Sequence, residues 1–575
     1  MSESRNFVIA IAISVLIIIF WQFFYEAPRR KEALQIAQQK EKLIEAEQSA
    51  VKAQLREKGI GLPAKEVNRE EILSLGNRVV ISTPSLHGSI SLKGARLDDM
   101  TLAGYKETLV SDSEEVVLLA PSETRQAYFA QYGWIDPTNS IALPDTATQW
   151  TADGTTLTPE TPVTLSWDNG KGLRFKLHFS VDKDYMFQVQ QAVENYGDAE
   201  VSLLPYGLLN RNWHQDHKAF AILHEGPLGV LEGKLNEFSY KDLAEEKHKE
   251  FKKTEGWVGI SDKYWLTAMI PDQSIPFNAH FAYNLRNGED KYQADFLGNA
   301  VTVSPGSTKD FDTHLFVGAK KIDLLDNYGD KLGIPLFDRA VDFGFYYFIT
   351  KPLFLTLKFF HGILGNFGLA ILLLTVCVKL AMFPLANKSY TSIHHMKRLQ
   401  PEITRLRELY KDNKTQLNQE VMQLYKREKI NPLSGCFPLL VQIPVFFSLY
   451  KVLFITIEMR HAPFYGWIKD LSAPDPTNLF NLFGLIPWSP PAILVIGAWP
   501  LIMGVTMILQ QRMNPEPSDP TQATVMKVLP FVFIFIFASF PAGLIIYWAW
   551  NNSLSLLQQW IINSRLSRKE AKKQK

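Results

Sequence analysis

Lys379 is the only charged residue in the apolar run 363–383, and any chemistry in the membrane-like half of the chain has to be argued from it. A lysine at the centre of a bilayer costs about 2.5–3.5 kcal/mol on insertion scales. Lys379 stands four residues from the end of its run, about 6 Å at helical rise, so snorkelling to the interface is open to it. Its companions make a second reading. Thr375 precedes it by one helical turn, Gln442 sits in the run 437–457, and Asn551, Asn552, Ser553 and Ser555 sit in the run 528–562. Such groups either hydrogen-bond helix to helix or line a water-filled indentation.

Other chemistry is poorly supplied. No Gly-x-x-x-x-Gly-Lys-Ser/Thr loop is present, so nothing points to ATP hydrolysis. His214 and His217 flank Asp216 without an evident third ligand, and His394-His395 face different sides of a helix. The two cysteines, Cys377 and Cys436, both fall in or beside apolar runs, which excludes a disulfide scaffold and a Cys-x-x-Cys redox pair. Lys plus Arg is 60 against 59 for Asp plus Glu, so there is no basic excess to argue for nucleic-acid binding. The residues imply no catalytic group, no metal and no cofactor.

The elements that must position these residues follow from hydropathy and charge. After an N-tail 1–6, the 19 uncharged residues 7–25 end on Trp, Phe and Tyr and read as a retained signal anchor. Residues 26–70 read as a polar tether, and 71–320 alternate apolar and polar residues at period two, as an antiparallel β-sandwich does. A helix at 336–352 would lie in the outer interface. Further spans are expected at 363–383, 437–457, 491–511, 528–540 and 544–562, the last two separated by Pro541-Ala542-Gly543.

Basic residues support that division. The segments 384–432, 512–527 and 563–575 hold ten, two and six Lys or Arg, whereas the loop 458–490 holds only Arg460 and Lys469. By the positive-inside rule both termini are cytoplasmic and the large domain is periplasmic. Apolar residues from Ile393 to Leu424 recur in steps of three and four around Lys411–Lys414, so 384–432 reads as a helical hairpin, either a structural pair or a docking surface. The tail 563–575 is either a topology signal or a contact for the ribosome or anionic lipid. At 13 residues, the span 528–540 would be short enough to thin the bilayer locally.

From Leu336 to Gln559 the chain resembles the YidC/Oxa/Alb membrane protein insertases. The resemblance is carried by Phe337-Asp-Arg-Ala-Val-Asp-Phe-Gly-Phe, Gly365-Asn-Phe-Gly, Asn431-Pro-Leu-Ser-Gly-Cys-Phe-Pro, Arg460-His-Ala-Pro-Phe, Met503-Gly-Val-Thr-Met and Phe540-Pro-Ala-Gly-Leu. It implies a five-helix core around a hydrophilic groove that inserts membrane proteins without ATP, alone or with the Sec translocon. The family's groove cation, usually Arg, falls on Lys379, and its substrate-contacting positions fall on Thr375, Tyr547 and Trp548. Lys keeps the charge but lacks the planar guanidinium fork. Residues 481–491 look like additional outer-loop sequence relative to the commonest pattern of the family.

The expected molecule is therefore a bacterial inner-membrane protein with six transmembrane α-helices, a five-helix insertase core plus the N-terminal anchor, and a periplasmic β-sandwich. Its groove residues are Lys379, Thr375, Gln442, Tyr547, Trp548 and Asn551. Its partners are nascent membrane-protein clients, the Sec translocon, the bilayer and, through hairpin and tail, the ribosome, with no other nucleic acid. The rival is a membrane-anchored periplasmic sugar-binding or sugar-processing protein. A secondary transporter would show a midplane site and internal repeats, and neither is found.

Overall fold

The computed structural model describes residues 68–573 apart from 75, 214–222, 287, 412, 429–436, 489, 492–494 and 515–519. The expected anchor 7–25, nearly all of the tether, His214 and His217 lie outside the described residues. The chain forms two compact units. One is built from the described residues up to Phe343 with Ile455–Glu458, the other from Gly344–Phe454 and Met459 onward.

The first unit is a sandwich of an 11-stranded and a 9-stranded sheet. Strand Leu173–Val181 shows why: Leu173, Phe175, Leu177, Phe179 and Val181 are all buried while the residues between them are not. It pairs antiparallel with Met186–Asn195, which pairs in turn with Ser307–Ala319. In the other sheet Val201–Asn212 lies between Tyr128–Ile135 and Glu289–Leu297, again antiparallel. One pair departs from the expected pattern, since Val80 and Ile81 run parallel to Thr156 and Leu157. Two short helices accompany the sheets, α1 (Arg69–Ser74) and α2 (Tyr240–Glu246).

The unit extends beyond the expected boundary at 320. Helix α3 (Ile322–Leu332) follows the last strand, and Phe337 then inserts between Trp257 and Phe316, at 5.5 Å from each ring. Trp257 Nε1 donates to the Pro335 carbonyl at 3.1 Å. The helix expected at 336–352 is consequently divided. Phe337–Ala340 is a single 3-10 turn buried against the sandwich, Gly344 turns the chain at φ +70°, and α4 runs from Tyr347 to Leu364. Aromatic side chains that read as an interfacial helix are partly spent filling the sandwich core.

The second unit is helical. After α4 come α5 (Phe367–Ala381), α6 (Phe383–Arg398), α7 (Gln400–Leu409), α8 (Lys414–Arg427) and α9 (Phe437–Ile455). They are followed by α10 (Ala498–Met513), α11 (Pro520–Phe537) and α12 (Ala542–Lys573). Gly365 closes α4 in the left-handed region, and the Asn366 side chain accepts from Leu369 N to cap α5. Helices α5 and α6 meet at 69°. Among the described residues no single helix is long and apolar enough to cross a membrane; α5 with α6 passes that test only as a bent pair.

Several expected boundaries move. The hairpin 384–432 is three helices, because α6 carries its first part and Pro401 opens α7 just past Leu399. The run 528–540 begins inside an 18-residue helix that starts at Pro520 and ends at Phe537. The basic tail and the expected span 544–562 share one helix, since α12 continues to Lys573 with no Gly or Pro after Gly543 to stop it. Helix α10 starts seven residues later than 491, where the Asp475 carboxylate accepts from Trp499 N at 2.9 Å.

One loop gathers the helix starts. Asn366 Nδ2 donates to the Pro463 carbonyl at 3.1 Å, and the backbone N–H groups of Ala542 and Gly543 donate to Ala473 and Leu471. With the Asp475 cap, the beginnings of α5, α10 and α12 therefore share one end of the unit. At the other end Lys397 donates to the Arg512 carbonyl and Gln559 to Asn514. Between them lies a core of Met503, Phe537, Ile545 and Ala549. Gly504 admits it: a Cβ there would stand 2.3 Å from Ile534 Cδ1 of α11.

Candidate functional site

Lys379 lies in the last turn of α5, and its Nζ donates to Ser555 Oγ at 2.8 Å and to Gln442 Oε1 at 3.3 Å. The two partners come from α9 and α12, 63 and 176 residues away in sequence. Gln442 in α9 passes its Nε2 to Asn551 Oδ1 at 2.7 Å and shares a hydrogen bond with the Tyr547 hydroxyl. Ser555 donates its own proton to the Asn551 carbonyl at 2.9 Å, which leaves a lone pair aimed at the lysine. Tyr390 of α6 also hydrogen-bonds Ser555.

Both described partners of the ammonium are neutral. A lysine has three N–H donors, and two are held by uncharged oxygens. The cluster can therefore orient a cation without neutralising it. The Ser555 hydroxyl stands beside the ammonium but gives its proton to the Asn551 carbonyl rather than to Lys379, and no pair of carboxylates is described there, so the cluster is arranged to bind charge rather than to make or break bonds. Among the described residues no group of three His, Cys, Asp or Glu could hold a metal ion.

The remaining expected residues divide. Asn551 and Tyr547 join the cluster through Gln442, with Tyr547 only 2% exposed. Thr375 is equally buried and donates to the Ile371 carbonyl at 2.7 Å, so its hydroxyl is spent inside its own helix. Trp548 does not join. Its ring lies 4.4 Å from Phe537 and 4.9 Å from Phe446, in an aromatic packing cluster. Ser555 reads as a polar companion of Lys379 but is left out of the expected groove residues, and Tyr390 is not singled out at all. A second polar contact lies on another face of α12, where Asn552 Nδ2 donates to Thr506 Oγ1 at 3.3 Å.

Comparison with known proteins decides the family. Residues 78–356 match the model of the YidC periplasmic domain, and 359–570 match that of the 60Kd inner membrane protein. A membrane protein insertase YidC of Rickettsia massiliae (strain Mtu5) is 50% identical over 560 residues, 97% of this chain and 98% of that protein. The chain belongs to the YidC family. The protein of the same name from Rickettsia bellii (strain OSU 85-389) is 51% identical over 560 residues, covering 97% and 98% of the two chains. An active YidC insertase crystal structure with the first transmembrane domain resolved covers 84% of this chain and 92% of its own, at 17% identity and a TM-score of 0.36. The family is one of insertases, not of enzymes.

Proposed function

We propose that this chain inserts and folds integral membrane proteins by lending them the polar cluster around Lys379 as they enter the bilayer. It is a membrane protein insertase of the YidC family, and its clients are nascent membrane proteins. The rival reading, a periplasmic sugar-binding or sugar-processing protein, is not favoured, because the relatives named as insertases match along 97% of the chain, helical unit included.

The observation that carries the reading is a cation held by Ser555 and Gln442 with no described carboxylate beside it. An acidic or polar residue of a client's translocated segment meets a charge already desolvated and oriented there, so it loses less on leaving water. Gln442, Asn551 and Tyr547 hold the site, Thr375 stands one turn further into α5, and Trp548 belongs to its packed wall. The sharing of one end by the starts of α5, α10 and α12 supports alternating helices in a five-span core. With 7–25 that makes six spans, with both termini and the α6–α8 region cytoplasmic and the sandwich periplasmic. The protein works alone or with the Sec translocon, and the ribosome meets α7, α8 and the basic end of α12.

The test is insertion of two small clients, alike except for an acidic or a neutral translocated tail, into liposomes holding only this protein. Both should insert without ATP, and Lys379→Gln should impair the acidic client most. Equal insertion of both clients by the wild type and by Lys379→Gln would leave Lys379 a snorkelling residue.

A further inference from the structure

Residues 476–511 contain no Asp, Glu, Lys, Arg or His, yet α10 accounts only for the part after Ala498. Within the earlier part, Phe480, Leu482, Phe483, Leu485, Ile486 and Trp488 are all exposed, Leu485 to 84%. A water-facing loop rarely displays so large a contiguous apolar patch. The backbone is nevertheless tied up. The N–H groups of Phe480 and Gly484 donate to the side-chain oxygens of Asn478 and Asn481. Those of Phe483, Leu485, Ile486 and Trp488 donate to carbonyls of Asn478, Leu482, Asn481 and Ile486. The segment thus turns its polar groups inward and its apolar side chains outward.

It is also held in place. Leu479 N donates to the Ile496 carbonyl at 2.9 Å, and Asp475, only 4% exposed, binds Thr477 N and Trp499 N at the start of α10. The segment that carries the patch is therefore tied to the start of α10.

We infer that 479–488 is a membrane-surface anchor, seated at the headgroup–acyl boundary of the leaflet that α10 enters. An irregular segment cannot sit in hydrocarbon, where every carbonyl would also need a partner, but the interface tolerates it and favours Trp488. A stable loop there pins the outer end of α10 at a set depth. The inference rests on the reading that α10 spans the bilayer.

The experiment places a nitroxide at Leu485→Cys in the full chain carrying Cys377→Ser and Cys436→Ser, reconstituted in phosphatidylethanolamine–phosphatidylglycerol vesicles. Val505→Cys on the exposed side of α10 and Lys171→Cys on the sandwich serve as references. Collision with oxygen, which concentrates in lipid, should exceed collision with a polar nickel chelate several-fold at Leu485 and Val505, and not at Lys171. A Leu485 label that behaves like Lys171 while Val505 remains lipid-exposed overturns the anchor alone. If Val505 also behaves like Lys171, the spanning of α10 fails and the anchor with it. Spin–spin broadening at Leu485 that disappears on dilution with unlabelled protein would assign the patch to a second copy and overturn the lipid assignment.

Discussion

Each of the two units takes a lysine out of solvent, Lys320 fully and Lys379 in part, and the two are treated in opposite ways. Lys320, 4% exposed at the end of the last sandwich strand, donates to Ser261 Oγ at 2.9 Å with Asp262, Asp342, Glu225 and Glu237 around it. Burial still dominates and pulls its pKa down to about 8. Nearby, Asp262 also holds Arg211 at 2.7 Å. Lys379 has hydroxyl and amide oxygens in place of carboxylates. A cation whose charge is answered at home is part of the scaffold, whereas one left unanswered is available to a visitor. The contrast predicts which substitutions cost stability and which cost activity.

Removing an acid from the sandwich should have the largest effect. Asp262→Ala strips a partner from two cations at once and should lower the sandwich's unfolding free energy by about 3 kcal/mol, read by urea denaturation. No loss would dissolve the contrast. In the helical unit Lys379→Gln strands no described carboxylate. It should change thermal stability little while lowering insertion of an acidic-tailed client about tenfold, and Lys379→Arg should restore it.

The pH dependence is smaller and has a definite sign. The folded pKa of Lys320 is about 8 against 10.5 for the free side chain, so between these values the unfolded chain binds more protons. The Lys320 contribution to sandwich stability should therefore rise from pH 8 to 10.5, read as the difference in pH dependence between the wild type and Lys320→Met. Ser555→Ala removes one acceptor from Lys379 and should cost about 1 kcal/mol, with a few-fold loss of insertion for the acidic client. Thr375→Val should do least in the same assay, because the hydroxyl it deletes serves only the Ile371 carbonyl.

The alternation in Leu173–Val181 is visible in sequence because a strand between a core and its other face repeats every two residues. The apolar runs around α5, α9 and α12 are visible because a continuous lack of charge needs no knowledge of neighbours. Helix ends were less legible. The start of α10 is set by a carboxylate 24 residues earlier in the chain, and the division of 336–352 by the rings of Trp257 and Phe316. Hydropathy reports where apolar residues begin, and α11 begins before they do.

The same distinction governs the site. That Lys379 sits near one end of an apolar helix, with Thr375 a turn away, follows from spacing alone, since both lie on one continuous segment. That Gln442 and Ser555 are the residues reaching its ammonium, that Tyr390 joins them, and that Trp548 packs against Phe537 instead, depended on how α5, α6, α9, α11 and α12 are rotated against one another. Periodicity assigns a residue to a face of its own helix. Only packing, through close approaches such as Gly504 against Ile534, decides which other helix that face meets.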